Sequence, residues 1–230
     1  MPSGRRFAPT RISYSESFLP TTGTDFFGNP FAPTTGQQYE TGLKFEPLGS
    51  RSRLTLALFD ITQQNVLTPD PTPGRIGFNI QTGEIRSRGF EAEAVTNVVE
   101  GFNLIATYTK LDVEVTKSTT TATIGKAPIV TPEELASIFA DYTFQAGPLA
   151  GFGFGAGVRY TGGSFMDPAN LIANDSFTVA DAALHYTYVD VTWRLNVSNL
   201  FNEEQTICTT SGGCQWISPQ IVTSSVAYRW

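Results

Sequence analysis

Hydrophobic and polar residues alternate with a period of two along much of this chain. In 191–198, Val191, Trp193, Leu195 and Val197 share one side, with Thr192, Arg194, Asn196 and Ser198 on the other. In 151–160, Phe152, Phe154, Ala156, Val158 and Tyr160 oppose Gly151, Gly153, Gly155, Gly157 and Arg159. In 180–188, Ala180, Ala182, Leu184, Tyr186 and Tyr188 oppose Asp181, Ala183 and His185. Successive side chains of a strand point to opposite faces, so the pattern predicts strands with one apolar face and one small or polar face. About ten strands are expected, beginning near Ile12, Tyr39, Ser52, Gly83, Phe102, Glu134, Gly151, Phe177, Val191 and Pro219.

The connections between these strands alternate in length. Those at 46–51, 98–101, 145–150 and 189–190 are tight, with glycine and proline turn chemistry; those at 18–38, 62–82, 118–133, 162–176 and 203–218 are long and rich in Thr, Gly, Pro and Asn. Strict short–long alternation predicts an all-β, antiparallel up-and-down transmembrane β-barrel with turns on the periplasmic side and loops outside. A Greek-key sandwich would mix the lengths. Aromatics gather near the short turns: Tyr142, Phe144, Phe152, Phe154, Tyr186, Tyr188, Trp193, Tyr228 and Trp230. An amphipathic ring is best placed where hydrocarbon meets water. In the last twelve residues, 219–230, Val222, Val226, Tyr228 and Trp230 fall on one face. By itself that strand also fits an ordinary amphipathic strand of a soluble sheet. In a barrel it is the closing strand, and the same four residues are the expected signal to the barrel-assembly machinery.

Composition narrows the class without contradicting the pattern. Hydrophobic residues make up 40% of the 230, mean hydropathy is -0.09, and the net charge is -6 with pI near 4.8. No apolar run approaches the roughly 18 residues a membrane helix needs, whereas a barrel strand shows lipid only every second residue. The acidic balance argues against a nucleic-acid partner. Arg5 and Arg6 resemble the basic start of a signal peptide, but 7–10 supply no apolar segment after them. The expectation is that either the start is missing or the chain is a piece of something longer.

Motifs then point to a family. Ser13-Tyr-Ser-Glu-Ser-Phe18 is followed by Pro33-Thr-Thr-Gly-Gln-Gln-Tyr-Glu-Thr-Gly-Leu-Lys44 and Leu58-Phe-Asp-Ile-Thr-Gln-Gln-Asn-Val66. Gln81-Thr-Gly-Glu-Ile-Arg-Ser-Arg-Gly-Phe-Glu91, Val197-Ser-Asn-Leu-Phe-Asn202 and the terminal strand complete the set. In this order they resemble the C-terminal part of a TonB-dependent siderophore receptor, nearest the ferric-hydroxamate, ferrichrome-type group. The resemblance implies a larger, 22-stranded barrel with a plugged lumen, of which 1–230 would be about the last ten strands, with plug domain, TonB box and signal peptide absent. It further implies energy-coupled uptake of ferric siderophores across the outer membrane of a Gram-negative bacterium. The implied partners are outer-membrane lipid, the ferric siderophore, and the TonB energy-coupling complex acting through the missing N-terminal part. No cofactor is implied, since ferric iron enters only as a chelate that the protein does not ligate. A passive porin-like or a structural or adhesive outer-membrane barrel is the alternative.

Candidate residues follow from chemistry and position. Cys208 and Cys214 bracket five small residues in the last long loop and are expected to form a disulfide; a metal-thiolate pair would lack further ligands in a chain with one histidine. The receptor resemblance includes such a cysteine pair followed by aromatics, with Trp216 matching one, while Thr209 stands where an aromatic often follows the first cysteine. Phe26, Phe27, Phe31, Phe165 and Trp216 are the candidate ligand-contacting residues, because a bulky, partly apolar chelate suits aromatic loops; for each, a small loop core is the competing role. Arg86 and Arg88 have two readings, contact with lipopolysaccharide phosphates or simple solvation at a strand end. The glycine file 151–157 either leaves room for a plug or relieves crowding in a curved strand. Gly89 marks a bulge or a close backbone approach. No catalytic elbow or metal cluster is legible, and His185 reads as a lumen hydrogen-bond partner, with Asp141 within reach.

Overall fold

The computed structural model describes residues 10–46, 52–97 and 99–230. Arg5, Arg6, Val98 and most of the 46–51 turn lie outside the described residues. The strands are β1 (Thr10–Leu19), β2 (Thr34–Phe45), β3 (Arg53–Pro69), β4 (Asn79–Thr96), β5 (Phe102–Lys117), β6 (Glu134–Thr143) and β7 (Phe152–Thr161). After them come β8 (Ser164–Phe165), β9 (Ala173–Asn174), β10 (Phe177–Tyr188), β11 (Val191–Ser198), β12 (Thr206–Thr209), β13 (Gly213–Trp216) and β14 (Ile221–Tyr228). Ten of them form one antiparallel meander in the order β1-β2-β3-β4-β5-β6-β7-β10-β11-β14, while β8-β9 and β12-β13 are small hairpins within the outer loops. The sheet is an open wall with β1 at one edge and β14 at the other.

The register carries one apolar face across the wall. Leu54, Leu56 and Leu58 pair with Ala94, Ala92 and Phe90; Leu184 pairs with Leu195, and Tyr186 with Trp193. On β14, Val222, Val226 and Tyr228 stand opposite Val197, Trp193 and Val191, so the terminal strand continues that face. Among the described residues Val179 is the only buried hydrophobic side chain, whereas Val158, Leu184, Val222 and Val226 are exposed. A sheet that exposes its aliphatics in this way requires hydrocarbon as its solvent. In hydrocarbon each unmet backbone group costs several kcal/mol, which favours strands paired along their length.

Aromatic rings mark two levels rather than the single one expected. At the short-turn end Phe144 lies 5.2 Å from Tyr142 and 6.4 Å from Phe152 and Phe154, and Tyr186 stacks on Tyr188 at 6.5 Å. At the other end of the apolar face, Tyr14 and Tyr39 meet at 5.0 Å, and Tyr108 and Tyr160 flank Ala136. The two girdles bracket the hydrocarbon layer.

Above the outer girdle the same outward face becomes charged. Arg86 bridges to Asp60, Arg88 to Asp112 at 2.9 Å and Glu114 at 3.4 Å, and Lys110 to Glu134 at 2.9 Å. These pairs run strand to strand from β3 to β6. Each arginine is matched by carboxylates of its own wall while its side chain stays 41% (Arg86) and 44% (Arg88) exposed, an arrangement that neither reading had foreseen. Strands β3, β4 and β5 hold 17, 18 and 16 residues, well beyond the roughly 9–11 that cross a membrane. The connection expected over 62–82 therefore shrinks to 70–78, because the ladder continues where both faces are wet.

Candidate functional site

The outer connections fold over the top of the wall as a linked layer. The connection at 20–33 turns on Asp25, whose Oδ1 accepts from the amides of Phe27 (2.8 Å) and Asn29 (2.9 Å) and whose Oδ2 accepts from Asn29 Nδ2 (2.9 Å). These bonds, the Asn29 side chain's foremost, hold the Asp25 carboxyl below its ordinary pKa. The turn presents Phe26 and Phe27 edge to face at 5.4 Å. From the 70–78 connection, Arg75 places its guanidinium carbon 4.7 Å from the centroid of each ring. The same guanidinium donates to Asp70 at 3.2 Å, and Phe78 packs on Phe26 at 5.1 Å. Asp70 is itself held below its ordinary pKa by Thr72, through the hydroxyl first and the amide next. A guanidinium over an aromatic face contributes about 0.5–2 kcal/mol depending on solvation, so the knot fastens the 20–33 connection to the 70–78 connection.

Three carboxamides join further loops by pairing with a backbone in both directions. Gln81 accepts from the Ala32 amide (2.7 Å) and donates to the Ala32 carbonyl (2.6 Å). Asn170 does the same with Ala127 at 2.8 and 2.9 Å, and Asn174 with Cys208 at 2.8 and 3.0 Å. A carboxamide offers the donor and acceptor of a peptide group, so each acts as one rung of a ladder between chain segments. Asp167 organises the loop between β8 and β9 by accepting from the amides of Ala169, Leu171 and Ile172, and those of Ile172 and Leu171 chiefly keep its carboxyl deprotonated to lower pH than usual. Cys208 and Cys214 are joined by a disulfide that closes the β12–β13 hairpin.

The five candidate aromatics do not converge on one pocket. Phe26 and Phe27 meet in the Arg75 knot, with Phe27 69% exposed. Phe31 lies in the same loop, its amide bonded to the Gly23 carbonyl at 3.3 Å. Phe165 lines a cavity of 180 Å³ between β5 and the β6 and β8 approaches, shared with Asp112, Glu114 and Asn170. Trp216 stands apart on β13, 70% exposed. Reading the sequence alone missed Arg75, Phe78 and the three bridging amides. Their signal, polar residues in long loops, is indistinguishable from ordinary loop composition until partners are known.

The opposite face of the wall carries a polar network. Arg159 donates to Asp181 through two nitrogens at 2.6 and 3.0 Å, and Asp181 also accepts from Ser198 Oγ (3.2 Å) and the Asn199 amide (3.0 Å). His185 reaches Thr143 at 3.1 Å and Asp141 at 3.5 Å, across the intervening β7. The glycine file makes that reach possible. A Cβ on Gly153 would overlap the His185 ring, and one on Gly155 or Gly157 would stand 2.8 or 2.7 Å from Phe139. The room above these glycines is thus filled by the wall's own side chains. Gly89 is likewise a close approach, with Phe59 and the Lys110 carbonyl against it, and the register there is regular rather than bulged.

Comparison with known proteins agrees with this geometry. Residues 6–200 match the family model described as TonB dependent receptor-like, beta-barrel. The chain is 39% identical over 225 residues to the ferrichrome outer membrane transporter/phage receptor of Escherichia coli (strain K12), covering 95% of the chain and 30% of that protein. It is 32% identical over 227 residues to the ferrioxamine B receptor of Salmonella typhimurium (strain LT2), covering 95% of the chain and 32% of the relative. The chain thus spans about a third of the length of these relatives. Among solved structures, BauA, the ferric preacinetobactin receptor from Acinetobacter baumannii, superposes with a TM-score of 0.81 at 24% identity, over 97% of the chain and 34% of its own. The pyoverdine outer membrane receptor FpvA from Pseudomonas aeruginosa PAO1 gives 0.73 at 22%, over 96% and 34%. The chain belongs to the TonB-dependent receptor-like β-barrel family.

Proposed function

We propose that the chain forms part of the wall and outer loop layer of an outer-membrane receptor for energy-coupled uptake of ferric siderophores. The observation that carries this reading is the match to a ferrichrome transporter across 95% of the chain, on a sheet whose outward face requires lipid. These residues act as the C-terminal strands of a larger barrel, whose plug and TonB-contacting segment come from sequence N-terminal to them. Siderophore contact belongs to the outer loops, where Phe27 and Trp216 offer exposed rings. The iron stays within its chelate, so no side chain of the wall is assigned as a metal ligand or cofactor site. Lipid contacts the apolar face, and the terminal residues Val222, Val226, Tyr228 and Trp230 engage the barrel-assembly machinery.

The test is complementation of a receptor-deficient strain starved of iron, with a signal peptide fused to the chain. Growth on ferrichrome or ferrioxamine B is expected only when the N-terminal barrel half and plug are co-expressed and the energy-coupling complex is intact. Growth that persists without that complex would point to a passive pore and overturn the reading.

A further inference from the structure

The ladder between β5 and β6 is interrupted and then resumes. Its last regular rung pairs Lys110 with Glu134, after which the Leu111 amide donates to the Glu133 carbonyl at 2.7 Å. It resumes at Val115, which donates to the Lys126 carbonyl and accepts from the Gly125 amide, both at 2.9 Å. Alternate residues of a strand turn their backbone groups to the same side, so the amide and carbonyl of Val113 point into the gap between these anchors. Among the described residues no backbone bond from 127–132 reaches them. Segment 127–132 instead bows away from β5. Val113 on one side and Ala127, Thr131 and Pro132 on the other line the cavity of 180 Å³.

The 162–176 connection holds the bow at two points. The Asn170 carboxamide clasps the Ala127 peptide in both directions, and the Phe165 carbonyl accepts from the Val130 amide at 2.9 Å. Val130 is held at a φ of 55°, a conformation that a β-branched residue takes only when its surroundings impose it. Asn65, Asn170, Asn199 and Asn202 show the residue type that tolerates it.

We propose that 127–132 is a strap with two seats, bowed while the 162–176 connection holds it and zipped onto β5 when that connection withdraws. Continuing the register of Leu111 and Glu133 by two residues sets Thr131 opposite Val113, where each meets the other's amide and carbonyl. Pro132 then falls at a position whose amide would point away from β5, so its missing N–H costs no rung. Val130 relaxes into the extended backbone that β-branched side chains favour. Zipping also closes the cavity beneath the strap and releases the Phe165 carbonyl. The two seats exclude one another, since Val130 cannot lie extended beside β5 and keep its positive φ. A ligand that draws the 162–176 connection away therefore lengthens β6. That role in uptake rests on the proposed function, whereas the two seats are a property of the sheet and can be measured without it.

The measurement is oxidative cross-linking of the 230-residue chain refolded in detergent. Val113→Cys and Thr131→Cys are introduced together, and the linked peptides are scored by mass spectrometry. Directly paired residues of an antiparallel ladder lie about 5.5 Å apart at Cα, within disulfide reach. Asn170→Gly keeps the freedom that Asn170 uses at a φ of 58° while removing the clasp. It should speed linking at least about fivefold, the effect of one net hydrogen bond. Val130→Asn relieves the strain of the bowed seat and should slow linking about fivefold. Val130 is 38% exposed, so the polar side chain is accommodated. This second variant leaves every inter-loop bond in place, so it reads the strap even if the first disturbs the loop layer. Val113→Cys with Ile129→Cys, two residues off register, should gain nothing from Asn170→Gly. The proposal is overturned if Asn170→Gly fails to speed linking of the Thr131 pair or Val130→Asn fails to slow it. An equal gain for the Ile129 pair overturns it too, since that describes a loose loop rather than a second seat.

Discussion

Asn174 holds Cys208 from both sides of its peptide unit, donating to its carbonyl at 3.0 Å and accepting from its amide at 2.8 Å. Asn174 is only 3% exposed, so its partners cannot readily turn to water instead. Asn174→Ala should therefore destabilise the last outer loop by about 1–3 kcal/mol, the cost of leaving buried polar groups unmet. Hydrogen exchange at the Cys208 amide should accelerate while exchange in β11 stays unchanged. Unaltered protection at Cys208 would show that the disulfide alone orders the hairpin.

The glycines of β7 give a second expectation. Gly153→Ala places a methyl group where the His185 ring lies and 2.9 Å from the Tyr142 carbonyl. Overpacking of this kind costs about 1–3 kcal/mol. Combined with His185→Ala, the same substitution should recover part of that loss, because the ring no longer competes for the space. Strictly additive effects in urea unfolding of the single and double variants would contradict the close approach.

Face assignment can be tested at adjacent residues. Leu195 pairs with Leu184 and Ser224 on the apolar face, while Asn196 pairs with Ala183 and Thr223 on the other. Leu195→Arg should cost about 2–4 kcal/mol near the bilayer midplane. Asn196→Arg should refold into lipid vesicles as the parent chain does. Equal yields of the two variants, scored by the heat-dependent gel shift of folded barrels, would reverse the assignment.

The loop carboxylates predict a pH response with a definite sign. Asp167, Asp25 and Asp70 each titrate below the ordinary value of 3.8 because their ionised forms accept loop hydrogen bonds. A depressed folded pKa stabilises the loop above the unfolded value, and that stabilisation is lost as pH falls through the folded one. The amide NMR shifts of Leu171 and Ile172 should therefore hold steady down to about pH 4 and change only below it. A midpoint at or above the ordinary aspartate value would remove Asp167 as the organiser of that loop.

Faces and strand order were legible because lipid imposes a period of two that survives in single strands such as 191–198. Strand ends were not. Residues 62–69 and 79–82 read as loop because Val66, Leu67 and Ile80 stand among Thr, Gln and Asn without a period of two, yet the ladder of β3 and β4 runs on through them. The outer tyrosine girdle escaped notice because Tyr14, Tyr39, Tyr108 and Tyr160 come one per strand, so only register assembles them. The occupant of the glycine file could not be read either, since Phe139 belongs to β6 and reaches it across the sheet. Of the five candidate aromatics, sequence placed all in loops but could not foresee that Arg75 would occupy the faces of Phe26 and Phe27.

The charged pairs above the outer girdle settle an ambiguity that hydrophobicity leaves open. Sliding β4 past β5 by one residue would turn Phe90 and Ala92 toward the lumen, an error that lipid itself rejects. Sliding by two residues would keep every side chain on its proper face, and a strictly alternating wall would tolerate it. That even-numbered error would carry Arg88 about 7 Å from its place opposite Asp112, and it would strand Lys110 from Glu134 if β5 and β6 slipped likewise. Alternation thus selects which side of the wall each residue faces, while the ion pairs select which of the equivalent alignments the nascent sheet keeps.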